Sequence, residues 1–269
     1  MDNRKRDILE PSSKYVKSFQ DFKKKLVKYL NTYQIKKIEK AYLLASKAHF
    51  GQLRKDGEDY IFHPLSAASL LADLHLDHEA IMAAILHDVI EDTSFDKSYL
   101  AKKFGNKVSE LVDGVSKLDK INFTTNLEAD AANLRKMLLA MSQDIRVILI
   151  KLADRKNNLD TISALEPDKR RRKAKETLDI FAPIALRLGI HSLNKELENL
   201  SFKAMHPLRY RILKNALIKS RGNRNELMEK IRKVILKKLD NEEIKTEVVA
   251  REKHLYGIYK KMKQKELSF

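Results

Sequence analysis

Few residues interrupt the helical patterning of this chain. Its 269 residues include only seven glycines and five prolines, and most intervals between them carry apolar residues at the 3.6-residue period of an α-helix. The first two such intervals, residues 15–30 and 34–49, have the pattern of amphipathic helices. The sequence therefore predicts a mainly helical protein, long enough for one large domain or two ordinary ones.

The composition excludes several classes of protein. The chain has no cysteine, so a disulfide framework, a zinc–thiolate site and a thiol nucleophile are excluded. The N-terminal residues MDNRKRDILEPSSKY lack the apolar core of a secretory signal. No run of about 18 apolar residues is present to span a membrane. We expect a cytoplasmic protein that does not associate with membranes.

The chain is also strongly basic, with 54 Lys and Arg against 37 Asp and Glu and a net charge of +17. Such a charge favours polyanionic ligands, either nucleic acid or small phosphorylated molecules. The basic residues are dispersed along amphipathic segments, apart from one dense run at residues 169–175. No strip of alternating basic and aromatic residues suggests single-strand binding. Nucleic-acid binding is therefore a secondary hypothesis.

The segment AIMAAILHDVIEDT at residues 80–93 places charged residues at the end of an apolar run. On a continuous helix His87 would lie one turn before Glu91, and Asp88 one turn before Asp92, on one face. Buried carboxylates are costly unless a cation or well-placed donors neutralise them, and they oppose the helix dipole at this end. The segment favours a divalent metal site; the alternative is a core helix with a solvated polar end.

Two further segments carry residues that bind metals. His63 precedes Pro64, which is well placed to start a helix. Asp154 follows an apolar run on a predicted helix, although it could instead be a buried carboxylate paired with Lys151 or Arg155. Two imidazoles and two carboxylates suit manganese, iron or zinc better than calcium. The combined candidate ligands are His63, His87, Asp88 and Asp154.

The remainder of the chain is less informative. The stretch INFTTNLEADAAN contains a loop at residues 124–130 that is either a lid or a plain connection. Residues 169–188 are predicted to form a helix with a kink at Pro183. Further predicted helices follow, then a strand at residues 245–249 and a short helix at residues 256–262.

The chain combines three motifs: His63-Pro64 behind Arg54-Lys55, HDVIEDT at residues 87–93, and KLADRKNN at residues 151–158. Together they resemble the hydrolase half of the RelA/SpoT family, long bifunctional enzymes that make and degrade (p)ppGpp. The resemblance covers nearly the whole chain. It implies an all-α HD-domain phosphohydrolase fold, then a helical linker and an incomplete α/β, nucleotidyltransferase-like C-terminal segment. The implied domains are residues 1–200 for the hydrolase and 201–269 for the linker and the start of a synthetase domain.

The resemblance also implies site residues and a reaction. One Mn²⁺ would be held by His63, His87, Asp88 and Asp154. Glu91 and Asp92 would position and deprotonate the attacking water. The implied substrate contacts are Arg54 and Lys55 to the guanine base and phosphates, and Asn158 and Thr161 to the sugar and phosphate side. The reaction is hydrolysis of the 3′-pyrophosphate of ppGpp or pppGpp to GDP or GTP plus pyrophosphate.

This chain departs from the family pattern at several positions. Asn157 stands where a His is usual and Asp160 where an Arg is usual. We expect these changes to alter the affinity for substrate more than the capacity for hydrolysis. Near the C-terminus, matches to an ATP-contacting segment are Arg251, Lys253 and His254, with Gly257 in place of a serine. The carboxylates of a synthetase site would lie beyond residue 269, so we expect no synthetase activity.

Two alternatives remain open from the sequence. An HD phosphohydrolase could act mainly on another nucleotide, as the changes at Asn157 and Asp160 suggest. A catalytically quiet regulatory or RNA-binding module could use the basic charge for its partner, although such a module would not need the four candidate ligands. A regulatory protein partner of unknown identity is compatible with either enzyme hypothesis.

Overall fold

The computed structural model describes residues 13–119, 144–220, 224–242, 244, 246–248 and 254–267. By its internal contacts the chain divides into two units, Met1–Leu165 and Glu166–Phe269. The mainly helical prediction is confirmed, because the described residues are largely helical and include no β-strand. None of the helices in these ranges is long and apolar enough to cross a membrane.

The first unit holds the helices that matter for the site. They are α1 (Ser13–Leu26), α2 (Thr32–Ala48), α3 (Phe62–Asp73), α4 (His78–Leu86), α5 (Val89–Asp92), α6 (Lys97–Phe104), α7 (Asn106–Asp119) and α8 (Ile145–Asp160). Between α2 and α3 the chain makes a loop in which Leu53 and Asp59 form an isolated antiparallel bridge. A short 3₁₀ turn, Ile162–Ala164, follows α8.

Helix α4 lies at the centre of this unit, in contact with α2, α3, α7 and α8. Every residue from Ala80 to Leu86 is buried, as expected of a helix that is apolar on all sides. Its first turn is capped by the Asp77 carboxylate, which accepts hydrogen bonds from the backbone N–H groups of Glu79 and Ala80. The C-terminal end of α4 therefore lies in the packed interior of the first unit.

The continuous helix expected through residues 80–93 is wrong. Helix α4 ends at Leu86, a turn at His87 and Asp88 follows, and the short α5 begins at Val89. His87 is buried and Asp88 half-buried, but Glu91 and Asp92 are exposed. The prediction that Asp88, Glu91 and Asp92 lie with His87 on one buried face is therefore also wrong. Solvent reaches Glu91 and Asp92, so their charges carry little desolvation cost.

The second unit is helical throughout its described part except for short connections. Its helices are α9 (Pro167–Glu176), α10 (Ala182–Arg187), α11 (His191–Met205), α12 (Pro207–Ser220), α13 (Arg224–Asn241) and α14 (Leu255–Gln264). The expected kink at Pro183 takes the form of a π-helical turn, Thr177–Phe181. There the Ala182 N–H bonds the Thr177 carbonyl. The wider turn accommodates a proline that has no N–H to donate.

Two expectations for the C-terminal part stay predictions. The strand expected at residues 245–249 is absent from residues 246–248, and its two ends lie outside the described residues. The α/β character of this segment is therefore a prediction still. The expected domain boundary after residue 200 also remains a prediction. It differs from the division by internal contacts, which falls after Leu165. Residues 124–130, Arg251 and Lys253 lie outside the described ranges.

An ion network joins the starts of α4 and α8. The Arg146 guanidinium donates to Asp144 at 2.8 Å, to Asp77 at 2.9 Å and to Glu79 at 3.2 Å. Lys107 adds a second cation 2.9 Å from Asp144. Hydrogen bonding from Arg146 lowers the pKa of Asp144 against the opposing effect of burial, and Lys107 adds to that lowering. The network holds together the two helices that carry the candidate ligands His87 and Asp154.

We expect Asp144→Asn to lower the free energy of unfolding by about 1–2 kcal/mol at pH 7, a modest value because solvent screens the pair. Asparagine can still cap α8, so the variant removes mainly charge. The folded pKa of Asp144 is below its unfolded value, so its stabilisation is present above about pH 4 and is lost as pH falls further. Urea unfolding in chelator should show the parent and the variant converging between pH 4 and pH 2. A difference that is constant with pH would contradict the charge argument.

Candidate metal centre

Three separate parts of the first unit supply the candidate ligands. His63 lies in the first turn of α3, His87 and Asp88 lie in the turn after α4, and Asp154 lies on α8. The apolar packing of α3 on α4 and α8 brings these positions together. His63, His87 and Asp154 are buried and Asp88 is half-buried.

The four side chains converge on one point. One ligand atom each from His63, His87 and Asp88 lies within 4.8 Å of the other two. Asp154 Oδ1 lies 3.2 Å from His63 Nε2 and 3.8 Å from His87 Nε2. Asp88 approaches both imidazoles, with its oxygens 3.4 Å from His63 Nε2 and 3.2 Å from His87 Nε2. The arrangement gathers two nitrogen and two oxygen donors.

The imidazole of His87 fits a metal ligand. Its Nδ1 lies 2.8 Å from the Ala84 carbonyl, so Nδ1 carries the proton and Nε2 carries the lone pair in the neutral ring. Nε2 is buried and has no hydrogen-bond partner within the described residues. A ring whose other nitrogen donates to a carbonyl is the usual state of a metal-bound histidine. The residues present therefore fit a divalent metal.

The charges of the site also favour a cation. Burial would raise the pKa of Asp154, but Lys151, with its ammonium 2.6 Å away, and the two imidazoles hold that pKa well below its usual value. Burial likewise opposes ionisation of Asp88, whose pKa the imidazoles lower. Burial lowers the pKa of His63, but hydrogen bonding with Asp154 and Asp88 outweighs burial and raises it to about 9. A divalent cation would take the place of the imidazole protons that face these carboxylates.

Arg54 is held against the ligand set by two consecutive asparagines. Its Nη1 donates to Asn157 Oδ1 at 2.5 Å, and its Nη2 donates to Asn158 Oδ1 at 2.7 Å. Asn158 in turn donates to Asp154 Oδ1 at 2.5 Å. His63 Nδ1 also lies 2.5 Å from Asn157 Oδ1. The expected substrate residues Arg54 and Asn158 are thus brought to the centre.

The other expected site residues lie at the edge. Lys55, Glu91 and Asp92 are exposed, and Thr161 ends α8. For Lys55, Glu91 and Thr161 the described part of the chain shows no side-chain hydrogen bond or ion pair to the ligand set. Their roles remain predictions, since each would act on a substrate or a water.

Tyr60 is a site residue that the sequence did not reveal. Its hydroxyl lies 2.9 Å from Asp88 Oδ2 and 2.8 Å from Asp92 Oδ2. Burial and these two carboxylates raise the pKa of Tyr60 strongly, so the phenol stays protonated. The buried imidazole of His49 stacks on the Tyr60 ring with centroids 4.6 Å apart. Tyr60 is therefore held firmly where it joins a candidate ligand to Asp92.

Residue His254 lies in the second unit and belongs to a separate feature. It precedes α14, and its Nε2 lies 2.5 Å from Glu198 Oε2. Its expected contact with ATP remains a prediction, as the neighbouring matches Arg251 and Lys253 lie outside the described residues.

Comparison with known proteins connects this geometry to a family. Residues 41–191 match the family model described as HD domain. A guanosine-3′,5′-bis(diphosphate) 3′-pyrophosphohydrolase of Haemophilus influenzae is 56% identical over 84% of this chain and 34% of its own length. The bifunctional (p)ppGpp synthase/hydrolase SpoT of Escherichia coli K12 is 52% identical over 93% of this chain and 36% of its own length. The chain thus spans about a third of the length of these relatives.

A solved structure is also similar. It is described as a metazoan ortholog of SpoT that hydrolyzes ppGpp, and it covers 67% of this chain and 99% of its own length. The sequence identity is 25% and the TM-score is 0.49. A likeness at this level adds no support beyond that of the family match.

Proposed function

Because the chain belongs to the HD-domain family, we propose that it hydrolyses the 3′-pyrophosphate of ppGpp or pppGpp, releasing GDP or GTP and pyrophosphate. One observation carries the proposal: the two imidazoles and two carboxylates of the metal centre lie together beside Arg54. The names of the similar proteins supply the substrate class, since two of them are called ppGpp hydrolases or pyrophosphohydrolases.

We propose Mn²⁺ as the cofactor. Two imidazole nitrogens and two carboxylate oxygens form a borderline donor set that suits manganese, iron or zinc. The residues that would hold it are His63, His87, Asp88 and Asp154. When bound, the metal supplies Lewis-acid polarisation of the phosphate under attack.

The exposed acidic pair would handle the water. In the proposed reaction a water oxygen bonds to the phosphorus attached at the ribose 3′-oxygen, and the bond from that 3′-oxygen to phosphorus breaks. The 3′-oxygen takes up a proton from solvent to become a hydroxyl, and pyrophosphate is released. Glu91 would accept the proton of the water as general base. Asp92, held by the Tyr60 hydroxyl 2.8 Å away, would orient the same water. Solvent exposure of Glu91 leaves it free to exchange the proton after each turnover.

Cationic residues at the edge of the metal centre would bind the substrate. Arg54 faces the site and Lys55 follows it on the exposed loop. Two cations there would offset the charge of a substrate that bears four or five phosphates. Asn158 and Thr161, near the end of α8, would contact its sugar and phosphate side. The basic net charge then requires no nucleic-acid partner, and a reaction on a free nucleotide is consistent with a cytoplasmic location.

The proposal is tested by pyrophosphate release from a panel of substrates. The purified chain is assayed with ppGpp, pppGpp, GTP and a 5′-nucleotide set, each with Mn²⁺, with Mg²⁺ and after chelation. Hydrolysis of ppGpp or pppGpp that requires Mn²⁺ would support it. Preference for another nucleotide would favour the alternative phosphohydrolase. Absence of hydrolysis with retained, salt-dependent RNA binding would favour the quiet module.

We expect Tyr60→Phe to lower kcat about tenfold when measured at saturating Mn²⁺. The phenylalanine keeps the ring stacked on His49 but removes the hydroxyl that touches Asp88 and Asp92. Loss of one hydrogen bond of about 1–1.5 kcal/mol to a positioning carboxylate corresponds to that change in rate. The test is steady-state kinetics beside Tyr33→Phe, an exposed tyrosine on α2. An unchanged kcat for Tyr60→Phe would show that Asp92 needs no such anchor.

A further inference from the structure

The orientation of two amide side chains follows from their contacts with Arg54. A guanidinium has only N–H donors. The Asn157 atom 2.5 Å from Arg54 Nη1 and the Asn158 atom 2.7 Å from Nη2 must therefore both be oxygens. The Asn158 amide nitrogen then points at Asp154, which it contacts at 2.5 Å. The guanidinium of Arg54 therefore determines the orientation of both amide groups.

The same Asn157 oxygen determines the state of His63. His63 Nδ1 lies 2.5 Å from it, and an amide oxygen can only accept, so Nδ1 must carry a proton. Arg54 Nη1 lies only 3.0 Å from His63 Nδ1. The contact would also allow Arg54 to donate to an unprotonated Nδ1, but that state would set two lone pairs against each other across the 2.5 Å contact with Asn157 Oδ1. The proton is therefore assigned to Nδ1. Without a metal, Nε2 also shares a proton with Asp154 and Asp88. When a metal displaces that proton, the proton kept on Nδ1 leaves the lone pair of the neutral ring on Nε2.

That lone pair faces the candidate metal position. His63 Nε2 lies 3.2 Å from Asp154 and 3.4 Å from Asp88. If the Asn157 amide rotated by half a turn, its NH₂ group would face Nδ1 and would favour the opposite tautomer, with a hydrogen on Nε2. Such a hydrogen would block metal binding. The rotation is disfavoured because the NH₂ group would then face the guanidinium of Arg54.

We infer that Asn157 is a positioning residue whose amide, oriented by Arg54, holds His63 in the tautomer that leaves Nε2 free to bind metal. The inference rests on the metal part of the proposed function and adds a second task for Arg54, which acts before any substrate binds. Partners that fix the far nitrogen of a metal-bound histidine typically contribute a factor of about 10–100 in metal affinity.

Titration of the metal-free protein with Mn²⁺ alone, in the absence of nucleotide, tests the inference. The variants are Asn157→Ala, Asn157→Asp, Arg54→Ala and the double variant Arg54→Ala/Asn157→Asp. The matched control on the same helix is Asp160→Asn, which removes an exposed ion pair with Lys156. A carboxylate accepts through either oxygen, so Asn157→Asp keeps the acceptor and no longer needs Arg54 to orient it.

We expect Asn157→Ala and Arg54→Ala each to weaken Mn²⁺ binding by about tenfold or more. Asn157→Asp should bind within about threefold of the parent, and the double variant should bind like Asn157→Asp alone, because the carboxylate makes Arg54 dispensable for this task. Asp160→Asn should bind like the parent. This pattern separates positioning of His63 from simple loss of packing, which an aspartate would not restore.

Two results would overturn the inference. The first is parental Mn²⁺ affinity in Asn157→Ala. The second is an Arg54→Ala defect that is equally large with and without Asn157→Asp. Failure of the proposed function is a different result, since it would appear as absence of ppGpp hydrolysis in a parent whose Mn²⁺ titration still follows the expected order of variants.

Discussion

Asp88→Asn is expected to abolish the proposed hydrolysis of ppGpp, with kcat/KM lowered by about 10³-fold or more. The substitution keeps the size of the side chain and its contact with Tyr60, but it removes the negative charge that faces both imidazoles at 3.2 and 3.4 Å. Metal polarisation of a phosphate is worth several kcal/mol, and each 1.36 kcal/mol corresponds to about a factor of ten in rate.

The measurement is pyrophosphate release together with a Mn²⁺ titration of the same samples. Asp96→Asn is the matched control, because Asp96 caps α6 outside the site and asparagine can replace it as a cap. Both readouts should fail together in Asp88→Asn and neither in Asp96→Asn. Parental metal affinity in Asp88→Asn would contradict the proposed ligand set.

Glu91→Gln is expected to lower kcat by about 10²- to 10⁴-fold, the range that a general base contributes. Its effect on Mn²⁺ affinity should be small. Glu91 is exposed and makes no side-chain hydrogen bond or ion pair with the ligand set among the described residues, so removal of its charge should spare the metal. This contrast with Asp88→Asn separates the proton acceptor from the ligands.

Steady-state kinetics of Glu91→Gln, Asp92→Asn and the exposed control Glu110→Gln assign the two acidic roles. The larger fall in kcat should belong to Glu91, and the smaller to Asp92, which already accepts a hydrogen bond from Tyr60. A larger fall in Asp92→Asn would exchange the proposed roles. Equal activity of Glu91→Gln and Glu110→Gln would remove Glu91 from the mechanism.

The candidate metal centre shows how much of a site the local sequence can predict. His87 and Asp88 are neighbours in the chain after a buried helix, so their shared position followed from the sequence. The local sequence around His63 and the apolar run before Asp154 did not indicate that these two residues would meet. Their convergence depends on the packing of α3 against α4 and α8, and the resemblance to a known family supplied that pairing before the structure did.

The largest difference from the sequence-based prediction is that Glu91 and Asp92 are exposed and not buried. A helical projection treated residues 87–92 as one face with one environment, whereas α4 stops at Leu86 and the next turn reaches solvent. Helical periodicity gives the relative directions of side chains but not the depth at which a helix ends. Among these carboxylates only Asp88 and Asp154 therefore carry a desolvation cost that favours a bound cation.

The sequence by itself determined the helical class, the absence of thiol chemistry and the types of the candidate metal-binding residues, because each depends on composition or on neighbours within a few residues. Only the tertiary structure decided the supporting contacts. Tyr60 meets carboxylates 28 and 32 positions away, and Asn157 meets an imidazole 94 positions away. Hydrogen bonds require atoms to lie within about 3 Å, and for residues so distant in the chain that proximity is set by helix packing.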